Sequence, residues 1–118
     1  MFIMDDETGE QKTRQGDSYN FKVEGITADW DVFYSVYDIE TREILLEVQS
    51  TKEDGVDIIT VSPAESDKLI VPDGENSATY GWNVKRCKDG KEDTVIVVGK
   101  SVNDINKIIV LPKTTEGV

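Results

Sequence analysis

The stretch Ser18–Glu24, Ser-Tyr-Asn-Phe-Lys-Val-Glu, alternates apolar and polar residues without a break. Tyr19, Phe21 and Val23 fall on one side of a period of two, with Ser18, Asn20, Lys22 and Glu24 on the other. A strand with one dry face and one wet face has this spacing. The polar cluster before it, Arg14-Gln15-Gly16-Asp17, supplies turn chemistry through Gly16 and Asp17, so it reads as the corner that leads the chain into the strand. Gln15 interrupts what would otherwise be an Arg-Gly-Asp adhesion sequence.

The same period returns along the chain. Trp30, Val32, Tyr34 and Val36 share one face of a second strand, and aromatic and β-branched residues favour that state. Ile44, Leu46 and Val48 face inward in a third. Lys52-Glu53-Asp54-Gly55 turns the chain into Val56–Val61. Ser62, Pro63 and Glu65 combine an N-cap, a first-turn proline and a capping box, which predicts one short helical turn. Ala78, Tyr80, Trp82 and Val84 then alternate inward, Asp89-Gly90 predicts a tight hairpin, and Thr94–Val102 is the returning strand. A last apolar run ends at Pro112, and no internal repeat is evident. About seven strands and one short helix, at these spacings, predict an all-β sandwich. Residues 1–12 are expected to be a mobile N-terminal segment, 13–111 the sandwich and 112–118 a loose C-terminal tail.

A chain of 118 residues has the length of one domain. Its formal net charge of −11 repels phosphate backbones and anionic lipid, so neither nucleic acid nor membrane is an expected partner. Charge of this size favours solubility. The sharper reading is an acidic face that docks on a basic protein or mimics DNA. No apolar run approaches the roughly 20 residues of a membrane span. The opening Met-Phe-Ile-Met has no basic region and meets Asp5-Asp6-Glu7 at once, unlike a secretory signal.

The sequence contains no histidine, which removes His-based triads, proton shuttling near neutral pH and the commonest zinc ligand. It has no nucleophile elbow, phosphate-binding loop or dinucleotide fingerprint. Asp5-Asp6-Glu7, Glu53-Asp54 and Glu92-Asp93 fall in expected turns or at the chain start, where solvated charge is the ordinary state. None has the spacing of an oxygen-ligand calcium loop. Cys87 is the single cysteine, which excludes an internal disulfide. It stands between Arg86 and Lys88, whose charges would lower its pKa, but no base accompanies it. The reading is therefore non-enzymatic, with no catalytic residue, metal or cofactor.

Trp30, Tyr34, Tyr80 and Trp82 are expected in the core rather than on a sugar-stacking platform. Phe33 and Tyr37 lie on the opposite face of their strand with Ser35 between them, and form a candidate protein-binding patch. Ile108, Ile109, Val110 and Leu111 form a second candidate. Four consecutive apolar residues do not alternate, so the strand is either enclosed in the domain or covered by another subunit. Pro112 directly after it stops further pairing.

In their order and spacing, these segments resemble a small Ig-like β-sandwich domain of phage and prophage virion proteins. Domains of that kind stand at the N-terminal end of baseplate and tail-fibre-associated proteins of phages infecting Gram-positive hosts. The resemblance runs from about Thr13 to Val102. It is carried by the Arg14–Asp17 corner, by Trp30, Val32 and Val36, by Pro63, Ala64 and Glu65, by Tyr80, Trp82 and Val84, and by the Asp89-Gly90 hairpin. It implies an Ig-like sandwich made in the host bacterial cytoplasm and carried in the virion. Its role would be tail, baseplate or head decoration through contacts with other virion proteins or with its own copies. No catalytic residues come with the resemblance. The alternatives are an acidic DNA-mimic-type inhibitor of a host defence or DNA-binding protein, and a carbohydrate-binding adhesin module.

Overall fold

Alternation in the sequence becomes alternation in burial. In the strand Tyr19–Val23, residues 19, 21 and 23 are buried and residues 20 and 22 exposed. The structure, a computed structural model, describes residues 2–5, 7–27, 29–95 and 105–113. Among these residues the strands are β1 (Phe2–Met4), β2 (Gln11–Arg14), β3 (Tyr19–Val23), β4 (Asp31–Tyr37), β5 (Ile44–Gln49), β6 (Thr51–Glu53) and β7 (Val56–Val61). They are followed by the single helical turn α1 (Pro63–Ser66) and by β8 (Ala78–Lys88), β9 (Lys91–Val95) and β10 (Asn106–Leu111).

The larger sheet has the order β1-β2-β10-β8-β4-β5, and β9 pairs with the far half of β8. The smaller sheet has the order β3-β7-β6. All neighbours are antiparallel except β2 and β10, which run parallel. The fold is an all-β sandwich, as its sequence predicts. The order β3-β7-β6 facing β10-β8-β4-β5 is the Ig-like arrangement.

Tyr19, Phe21, Val23, Ile59 and Val61 from the smaller sheet meet Val32, Tyr34, Val36, Leu46, Trp82, Val84, Ile108 and Val110 from the larger. Phe21 meets Tyr34 edge-on at 4.9 Å and Trp82 at 5.9 Å, the geometry aromatic rings prefer. Buried polar atoms are paired across the core. The Tyr34 hydroxyl donates to Gln11 Oε1 at 2.7 Å and accepts from the Tyr19 hydroxyl at 2.9 Å, linking the two sheets. Trp82 Nε1 donates to the Gly9 carbonyl at 3.0 Å. Burial pushes the pKa of Tyr19 and Tyr34 well above the usual tyrosine range, so both stay neutral.

The turns follow their sequence chemistry. The Ser62–Glu65 capping box is present in both directions. Asp54-Gly55 and Asp89-Gly90 each hold two successive positive φ angles, as a two-residue hairpin loop requires. Gly16 (φ 87°) marks the corner where the chain leaves β2 in the larger sheet for β3 in the smaller. Tyr80 donates its hydroxyl to the Ile70 carbonyl across the connection from the helix to β8, as in the tyrosine corner of Ig sandwiches.

Several expectations are corrected. The described part of the expected mobile lead, 1–12, is held down: β1 pairs with β2, and the Phe2 ring stacks on Tyr19 at 4.7 Å. The described residues of the loop between the two strands are hydrogen-bonded to one another, and the pattern occurs twice. In Asp5–Glu10 and in Asp38–Glu43 (Asp-x-Glu-Thr-x-Glu in both), the aspartate Oδ1 accepts two backbone N–H groups at 2.8 and 3.0 Å. The threonine hydroxyl accepts a third at 3.2 Å in each loop. The fifth position is left-handed in both, Gly9 at φ 75° and Arg42 at φ 68°. The chain therefore does contain a short internal repeat, of loop geometry.

At the other end, of the two readings of Ile108–Leu111 the strand enclosed in the domain is the one found. It lies between β2 and β8, and Ile108 and Val110 are fully enclosed. The start of the 112–118 tail is anchored, since Arg14 Nη1 donates to the Pro112 carbonyl at 2.8 Å and Lys113 pairs with Asp67. Residues 114–118 lie outside the described residues, as does the expected returning strand beyond Val95. Trp30 is half-buried rather than in the core, with the Arg86 guanidinium 4.6 Å from its ring centre.

Candidate protein-binding face

The outer face of the larger sheet is where the alternation sends residues that the core does not take. Strand register sets them in rows. One row runs Lys107, Gly81, Tyr37 and Ile44 from β10 through β8 and β4 to β5. The next holds Asn83, Ser35 and Glu47, and the one beyond it Lys85, Phe33 and Gln49. Ser35 and Asn83 thus stand between Tyr37 and Ile44 on one side and Phe33 and Lys85 on the other, and their smaller size leaves a depression. Its volume is about 220 Å³, and Ser35, Tyr37, Arg42, Ile44, Glu47, Asn83 and Lys85 line it.

Ser35 and Asn83 form its floor. Ser35, nearly fully buried, donates its hydroxyl to Glu47 Oε2 at 3.0 Å. The Asn83 side-chain oxygen is covered and has no hydrogen-bond partner among the described residues. Tyr37 lies flat across Gly81, where an added Cβ would come within 2.5 Å of Tyr37 Cζ. The glycine is therefore needed for the ring to lie down on the sheet. The Arg42 guanidinium covers the same ring, 5.8 Å from its centre.

Ile44 shows what the sequence reading missed. It was expected to face inward with Leu46 and Val48, yet it is 56% exposed. The pairing of β4 with β5 slips between Val36 and Tyr37, so that Val36 faces Leu46 while Tyr37 faces Ile44. This bulge adds one residue, Leu45, and turns Ile44 to the outside. Of the expected binding residues, Tyr37 lines the depression and Phe33 lies half-buried one row away. Ile109 and Leu111 reach the same face half-buried, whereas Ile108 and Val110 are in the core and unavailable to a partner. No sequence signal distinguishes Arg42, Ile44 and Glu47 as neighbours, because the bulge and the left-handed Arg42 bring them together.

Cys87 is also corrected. Partial burial, with Glu92 and Asp31, pushes its thiol up rather than down. Its sequence neighbours Arg86 and Lys88 project to the opposite face of β8, while Asp31 and Glu92 are its partners across the strands. Among the described residues no three His, Cys, Asp or Glu side chains are placed to hold a metal ion, and no helix is long and apolar enough to cross a membrane.

The fold and this face together define an all-β sandwich with one decorated outer sheet. No protein-family model matches the chain, and no curated protein matches it significantly.

Proposed function

We propose that the chain is a non-enzymatic binding module that works through protein–protein contacts, in the setting of a phage tail, baseplate or head decoration. The observation that carries the binding reading is the depression on the outer sheet. Tyr37 and Ile44 give it an apolar side, next to a polar floor of Ser35 and Asn83, and Arg42, Glu47 and Lys85 add charged groups around it. Aromatic and arginine anchors with polar groups around them are the anatomy of a protein interface. The virion setting rests on the resemblance of the strand and turn motifs, and the acidic balance of the chain suits a part that is soluble before it assembles.

The test is the composition of particles. Gradient-purified particles from a host carrying the gene are expected to contain the chain, and Ile44→Asp is expected to leave the fold intact by circular dichroism while excluding the chain from particles. Complete particles that lack the wild-type chain would overturn the virion reading. Normal incorporation of the Ile44→Asp chain would overturn the assignment of the face.

A further inference from the structure

The outer sheet face has the opposite charge balance from the rest of the molecule. Lys12, Arg14, Arg42, Lys85 and Lys107 lie on it, against Asp31, Glu47 and Glu92. Among the described residues the face thus takes five of 12 basic side chains but three of 21 acidic ones, and the other seven basic side chains are set against the other 18 acidic ones. Two of its charges are already engaged locally, since Lys85 pairs with Glu92 at 2.7 Å and Arg14 donates to a carbonyl. Lys12 and Lys107 flank half-buried Ile109, one on its neighbouring strand and one two residues before it, and neither has an acidic partner among the described residues.

We infer that this face docks on the acidic loop side of a second copy of the chain. The inference rests on the protein-binding reading above and names the partner. Charge complementarity selects the occupant, because the acidic surface that such a face fits is the remainder of this same protein. Exposed Glu53 and Asp54, at the turn between β6 and β7, are carboxylates of the required kind on one such loop side. Face-to-face pairing would oppose like charges, so the contact is heterologous, with the face of one copy on the loops of the next. Contacts of that type close into rings or extend as filaments.

The two levels of charge give the contact an unusual salt dependence. At long range two chains of −11 repel, and this repulsion reaches furthest at low ionic strength. At contact the opposite local charges attract, and salt screens these close pairs less. Association therefore strengthens from about 10 mM to about 150 mM salt, as the Debye length falls from ~30 to ~8 Å. Docking of the acidic chain on a foreign basic protein would weaken over the same range.

Sedimentation velocity on the purified chain across a concentration series tests this. The wild type is expected to form concentration-dependent oligomers at the higher salt and to dissociate at the lower. Lys107→Glu is expected to weaken association by roughly tenfold or more, because it places like charge against the partner's loops. Lys22→Glu makes the same change in net charge from an exposed position on the smaller sheet, and is expected to change association by less than about twofold. A monomer under all conditions, equal effects of the two substitutions, or association that strengthens as salt falls would each overturn the inference. So would binding of a single-stranded oligonucleotide that Lys107→Glu abolishes, with no self-association. A chain that is monomeric in solution yet present in particles would sink self-docking while leaving the protein-binding reading intact.

Discussion

Replacing Gly81 with alanine tests how the outer face is built. Gly81 is not in a left-handed conformation, so its backbone accepts an alanine, and a strand interior gains about 0.5–1 kcal/mol from that change when nothing is in the way. Here the new Cβ would lie 2.5 Å from Tyr37 Cζ, 2.7 Å from Cε2 and 2.8 Å from the hydroxyl oxygen. The ring has to lift off the sheet, away from a site where it is 9% exposed. Forced repacking of this kind costs about 1–3 kcal/mol, which outweighs the propensity gain. In the Tyr37→Ser background the obstacle is gone, and Gly81→Ala should stabilise by the ~0.5–1 kcal/mol that propensity alone provides. The double-mutant cycle should therefore show a coupling of about 1–3 kcal/mol between positions 37 and 81. Equilibrium urea denaturation followed by tryptophan fluorescence measures all four corners. If Gly81→Ala stabilises both backgrounds equally, Tyr37 does not lie on Gly81 and the description of the depression is wrong.

Other expectations follow from the core. Tyr34→Phe removes the hydroxyl between Tyr19 and Gln11 and should cost about 1–3 kcal/mol by denaturation, since it strands two buried polar groups. The folded-state pKa values of Tyr19 and Tyr34 are raised above the unfolded value of about 10, so their contribution is complete below that pH and is lost as pH rises beyond it. Stability should hold up to about pH 10 and then fall, and ionisation of all four tyrosines near pH 10 in the folded state would contradict this. Trp82→Ala should cost about 3–5 kcal/mol and Trp30→Ala about 1 kcal/mol, as one ring is enclosed and the other half-buried under Arg86. Truncation before Asn106 removes a strand between β2 and β8 and should give an unfolded circular dichroism spectrum, whereas a folded product would place β10 at an edge after all.

What was legible in the sequence was local. Tyr19–Val23 and Val32–Val36 announce buried faces by period, and Ser62–Glu65, Asp54-Gly55 and Asp89-Gly90 announce their turns by chemistry, because each depends on residues a few positions apart. What was not legible depends on pairing between distant segments. Ile108–Leu111 reads as a terminal apolar strand, and only the parallel pairing with β2 places it inside a sheet. Phe2 reads as part of a loose lead, yet its ring finds Tyr19. The candidate face was half legible. Period alone put Phe33 and Tyr37 outside, but the one-residue bulge that adds Ile44, and the strand partners that decide the charge around Cys87, have no mark in the sequence.

The outer sheet face as the surface by which the chain joins other proteins is tested most directly by lysine acylation read by mass spectrometry, on the isolated chain and on the chain within purified particles. The isolated chain should react at Lys12, Lys85, Lys107 and Lys22. In particles Lys12, Lys85 and Lys107 should be protected and Lys22, on the outer face of the smaller sheet, should still react. Full reactivity of Lys12, Lys85 and Lys107 in particles, or protection of Lys22 in their place, would contradict the account.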